Sequence, residues 1–96
     1  MANAHTAYTW TPLGYNQITS LSTAVGLGTV PTGAVIALIS AEAQGVRWRD
    51  DGTAPTATVG MPMAAGQEFQ YTVVDFTKIK FIQQISGAIL NVAWFK

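Results

Sequence analysis

Ninety-six residues make one domain with one modest core, and five cations cancel five anions at a charged fraction of only 10%. Ordinary soluble domains carry about 25% charged residues, so this chain lacks the basic face of a nucleic-acid binder and has little repulsion to oppose association. The absence of cysteine excludes disulfides and thiolate metal sites, and the longest apolar run, 34–39, falls far short of the roughly 20 residues of a membrane helix.

The first twelve residues are small, polar and rich in Thr and Ala, with Tyr8 and Trp10 as their only large side chains. No basic or strongly apolar stretch of a secretory leader is found there, so the expected compartment is the cytosol or a particle assembled in it. Two readings of 1–12 compete, a loose tail and an extended arm that seats its two rings on a partner. The span 15–25 reads as one or two strands, after which Gly26, Gly28, Pro31 and Gly33 break the chain. Residues 34–43 are apolar on both faces, the mark of a strand buried between layers. Gln44-Gly45 then reads as a two-residue turn into a strand over 46–50. That hairpin would oppose Glu42 with Arg47 and Ser40 with Arg49, leaving Ala41, Ala43, Val46 and Trp48 on the apolar side.

Asp51-Gly52 and Ala54-Pro55 mark a loop. Residues 59–63 read as a short edge strand, because Pro62 has no N–H to give an inner ladder. Ala65-Gly66 turns the chain into 68–74, where Phe69, Tyr71 and Val73 alternate with polar residues. A final hairpin, 78–85 with 88–95 about Ser86-Gly87, would pair Phe81 with Val92 and Ile79 with Trp94. Together these segments predict an all-β fold, a small antiparallel β-sandwich or barrel of six to eight short strands over 13–96, preceded by the arm 1–12.

The chemistry-bearing residues are sparse. His5 is the only histidine, it sits in the polar arm, and no serine lies in a Gly-x-Ser-x-Gly elbow. Asp50 and Asp51 are adjacent and would point to opposite sides of an extended chain, so they cannot share a proton. The glycine pair Gly26 and Gly28 lacks the Lys-Ser/Thr of a phosphate cradle. No enzyme, cofactor or metal site is expected. Trp48 and Trp94 fall on apolar strand faces and read as core. Tyr8 and Trp10 follow no core period, so they stack on a sugar ring or anchor on a protein; with Arg47 and Arg49 they are the candidate partner contacts.

The segment Val46-Arg-Trp-Arg-Asp-Asp-Gly-Thr-Ala-Pro-Thr-Ala-Thr-Val-Gly-Met-Pro62 resembles one found in small structural proteins of tailed bacteriophages and prophages. The similarity continues through Gly66, Ile79-Lys-Phe-Ile and Ala88-Ile-Leu-Asn-Val, and covers roughly the last two thirds of the chain. It implies a β-rich virion protein assembled in the host cytoplasm, a capsid decoration (cement) or tail-associated subunit bound to the major capsid protein or to another virion protein; the low surface charge adds the expectation of a homo-oligomer. A tail, neck or fibre-adaptor component is the nearest alternative. A carbohydrate-binding module using Tyr8, Trp10 and Trp48 as platforms is the reading from another class.

Overall fold

Successive side chains on a strand point to opposite faces, and here that alternation sorts residues into one core and two outer faces. The computed structural model describes residues 9–96. Its strands are β1 (Pro12–Ile18), β2 (Ile36–Glu42), β3 (Val46–Arg49), β4 (Met61–Met63), β5 (Glu68–Tyr71), β6 (Lys80–Gln83) and β7 (Ile89–Phe95). No helix forms among the described residues. A four-stranded antiparallel sheet runs β1-β7-β2-β5, and a three-stranded one runs β4-β3-β6. Ala37, Ile39 and Ala41 of β2 and Leu90, Val92 and Trp94 of β7 face inward from the first sheet. Val46, Met63 and Phe81 meet them from the second, with Leu21, Leu27, Phe76 and Ile79 filling the remaining space. The all-β sandwich expected from the strand pattern is the fold that forms.

The two expected hairpins do not form. β2 and β3 lie in different sheets, and so do β6 and β7; each short link carries the chain across the sandwich. β3 pairs instead with β4 and β6, while β7 lies between β1 and β2. The physical reason is simple. Alternation fixes which side chains face the core, and that set is the same whether two strands lie side by side or face each other across the core. The links also support each other. Gln84 N donates to Gly45 O at 3.0 Å, and a side chain at Gly45 would run into Gln84 Oε1 and into Met63 O at 3.1 Å.

The cross-strand pairs inferred from those hairpins fall with them. Glu42 accepts a hydrogen bond from Asn91 Nδ2 at 3.0 Å rather than meeting Arg47. Arg47 lies opposite Ile82 and Pro62, and Arg49 opposite Lys80. Trp94 has Gly14 and Ala37 as strand neighbours, and its ring meets Phe76 edge-on at 5.1 Å, so the Ile79 pair does not exist.

Other expectations hold. β4 is an edge strand containing Pro62, and β5 follows the turn at Gly66 and stops at Tyr71, short of residue 74. At the N-terminal side the ladder starts early. Thr11 and Lys96 exchange backbone hydrogen bonds of 2.8 and 3.0 Å, and Pro12 already pairs with Phe95, so the sheet includes the end of the expected arm. β1 ends at Ile18; beyond it the chain meets β6 through the Val25–Phe81 bridge and through Leu21.

The β2–β3 link holds Ala43 in the left-handed region at φ 70°, where an L side chain crowds its own carbonyl. Ala43 is exposed, so removing its methyl forfeits no packing. Ala43→Gly should therefore stabilise the fold by about 0.5–1 kcal/mol, the relief of strain exceeding the added chain entropy. Urea unfolding reads this as a higher midpoint at constant slope; a lower midpoint would contradict the link geometry.

Candidate functional site

The two sides of the sandwich differ. On one, residues 21–29 close the gap: Val25 and Phe81 exchange hydrogen bonds of 2.9 and 2.8 Å, Gln83 N donates to Leu21 O at 2.9 Å, and Asn16 Nδ2 reaches Leu27 O at 3.3 Å. On the other side lie β4 and β5, each the last strand of its sheet. Between them sits Trp48, half-buried, with its ring stacked on Phe69 at 5.5 Å and 22°. The ring row continues inward from Phe69 to Tyr71 at 5.9 Å, Tyr71 to Phe76 at 5.9 Å, and Phe76 to Trp94. Trp48 is therefore the surface end of a line of rings anchored in the core. Such a ring is held rigid and can receive a partner with little loss of side-chain freedom.

A groove of about 280 Å³ lies against Trp48, lined by Arg49, Asp50, Asp51, Val59, Gly60 and Met61. A second depression on the β5 side shares Trp48 and Met61 and adds Gln67, Glu68 and Phe69. Met61 and Val59 are 56% and 53% exposed, which leaves two large apolar side chains in water beside a tryptophan. The loop that presents them is held in place. Arg47 donates to Ala57 O at 3.2 Å and to Gly60 O at 2.8 Å, Val59 N donates to Thr56 Oγ1 at 3.0 Å, and Pro55 is buried beneath.

Two carboxylates complete the rim. Arg49 donates to both oxygens of Asp51, at 3.0 and 2.5 Å. These hydrogen bonds hold the Asp51 carboxyl below its usual range and raise the guanidinium, with charge attraction adding to both. The pair is exposed, so it orders the rim more than it stabilises the fold. Tyr71 donates its hydroxyl to Asp50 Oδ2 at 2.7 Å. Burial, reinforced by the Asp50 carboxylate, pushes the Tyr71 phenol well above its usual value.

That shift has a testable sign. A phenol with a raised folded-state pKa contributes stability that is complete below the unfolded value of about 10 and is lost as pH climbs through the folded value. Stability should fall above about pH 10, and Tyr71→Phe should remove the Tyr71 share of that fall. At neutral pH the same variant should lose about 1.5 kcal/mol, the worth of a hydrogen bond to a charged acceptor. Paired denaturant titrations at neutral and alkaline pH read both; an alkaline loss identical in wild type and variant would contradict the Tyr71 environment.

The residues singled out from the sequence scatter. Arg49 lines the groove, whereas Arg47 is spent on the carbonyls of the loop. Trp10 packs on Phe95 with ring centroids 5.2 Å apart, on a different part of the molecule from Trp48. Tyr8 lies outside the described residues. Trp48, read from the sequence as core, does pack against the core, but it is only half-buried and also lines the groove with Val59, Met61 and Asp50. The signal that could have found it is Arg-Trp-Arg on a short strand followed by a loop ending in Val-Gly-Met-Pro. Among the described residues no three metal-ligating side chains come together, and no helix is long and apolar enough to cross a membrane.

No protein-family model, no curated protein and no solved structure matches this chain.

Proposed function

We propose that this chain is a non-enzymatic structural subunit of a tailed-phage virion, a capsid decoration protein that cements the shell by burying apolar surface against its neighbours. The observation that carries the reading is the open side of the sandwich, where Val59 and Met61 face solvent beside the half-buried Trp48 on a body of low charge. Exposed apolar clusters of this kind on small charge-poor domains mark contact surfaces. The segment 46–62, whose resemblance to phage proteins prompted the reading, is also the segment that builds the groove through β3, its loop and β4. Val59 and Met61 suit an apolar protein side chain better than a sugar, and the carboxylates of the rim already hold Arg49 and Tyr71.

The test is to count the chain in purified particles of the phage that encodes it. Copies on the scale of the capsomers support decoration. Copies on the scale of a single ring would move the subunit to the tail, neck or fibre, and absence from the particle would overturn the virion reading.

A further inference from the structure

We infer that the free edge of β5 is a docking strip for an extended segment of a partner polypeptide that alternates basic and apolar side chains. The inference deepens the assembly reading and rests on it in taking the partner to be a protein. An unpaired strand edge is a template for another strand, and folded proteins guard such edges. Among the described residues, two of the four edges are guarded and a third has a segment packed on it. β4 is three residues long and contains Pro62, which has no N–H to offer. β6 is bonded along its edge by Leu21 and Val25. β1 has the 27–29 segment held against it by Asn16 Nδ2, at 3.3 Å from Leu27 O and 3.4 Å from Thr29 O.

Among the described residues β5 has β2 as its only strand neighbour. Ala41 N donates to Gln67 O and Gly66 N donates to Ala41 O, which sets the alternation of the ladder. Phe69 and Tyr71 therefore bond to β2, and the N–H and C=O groups of Glu68 and Gln70 aim off the edge. An incoming strand would find its hydrogen-bonding groups there.

The two faces of that strand meet different chemistry. Side chains on the inner face, level with Phe69, enter the depression between Trp48, Met61 and Phe69, whose walls are apolar apart from Gln67 and Glu68. Side chains on the outer face lie beside Glu68, with Glu42 a diagonal neighbour on β2 roughly 7–8 Å away. None of the outward positions on this sheet holds Lys or Arg: Tyr15, Gln17, Ile89, Asn91, Ala93, Ile36, Leu38, Ser40 and Gln70 accompany the two glutamates. A cation opposite Glu68 is attracted, and an anion is repelled. Strand addition takes its affinity from main-chain bonds and its selectivity from these alternate side chains.

The probe is a short soluble peptide alternating Lys with Ile, compared with one carrying Glu for Lys, each titrated by calorimetry. The Lys peptide should bind about tenfold tighter or more. Gln70→Pro removes an outward N–H without touching the β2 ladder and should abolish binding with the circular dichroism unchanged. Glu68→Lys should reverse the preference, and it decides the matter should Gln70→Pro fail to fold. Equal affinity for both peptides, no binding of either, or an unreversed preference in Glu68→Lys would overturn the inference. Particle binding that survives Gln70→Pro would reject the edge and leave the assembly reading standing. Edge-dependent peptide binding by a chain absent from virions would do the opposite.

Discussion

Trp94→Ala should cost about 3–5 kcal/mol, the range for emptying a large aromatic site in a core. Trp94 is 1% exposed, sits on a strand with neighbours on both sides, and holds Phe76 edge-on at the inner end of the ring row that supports Trp48. A domain of this size has about 5–10 kcal/mol of total stability, so the variant should be close to unfolded at 37 °C. Trp94→Phe should be much milder. The indole N–H has no hydrogen-bond acceptor among the described residues, so the smaller ring forfeits packing but strands no partner. Denaturant titrations of the two variants read the contrast; equal losses would mean that the indole is bonded, and a wild-type midpoint for Trp94→Ala would place the ring outside the core.

The second large effect is expected at Gly60. Its φ of 142° belongs to a region that essentially only glycine occupies. A Cβ there would stand 3.1 Å from Pro55 Cβ, 3.1 Å from Trp48 O and 3.2 Å from Arg47 Cβ. Two of those obstacles are strand β3 and the third is the buried proline, so nothing flexible can give way. Gly60→Ala should cost about 3 kcal/mol and, in molecules that still fold, displace Val59 and Met61 from the groove. The expected signature is a lowered midpoint together with altered tryptophan emission from Trp48. A variant as stable as wild type would mean that the loop does not lie over β3.

How far the sequence reveals this molecule can be judged strand by strand. The alternation of Phe69 and Tyr71, the apolar run through Ile39 and the proline in β4 each announce their elements, because burial is a property of single side chains. Pairing is a property of two. Nothing in Ile79-Lys-Phe-Ile or in Ala88-Ile-Leu-Asn-Val distinguishes a neighbour in the sheet from a neighbour across the core, and both links were short enough to suggest hairpins. The site was harder still. Trp48 reads as core because it alternates with Arg47 and Arg49, and it does lie on the core face; its partial exposure follows from β4 and β5 being sheet edges, which only the topology decides. Arg47 looked like a surface charge awaiting a partner, and the acceptors it finds are main-chain carbonyls of a loop whose path has no signature in the residue pattern.

The open side of the sandwich is the surface proposed to meet a partner. Hydrogen exchange at the Glu68 and Gln70 amides tests it most directly, because both N–H groups aim off the β5 edge and only an added strand can bond them. In the isolated protein both should exchange rapidly, while Phe69 and Tyr71, which alternate with them, are protected. In the chain recovered on assembled particles, Glu68 and Gln70 should gain protection of at least about tenfold. Unchanged, rapid exchange at both amides in the assembled chain would contradict the account.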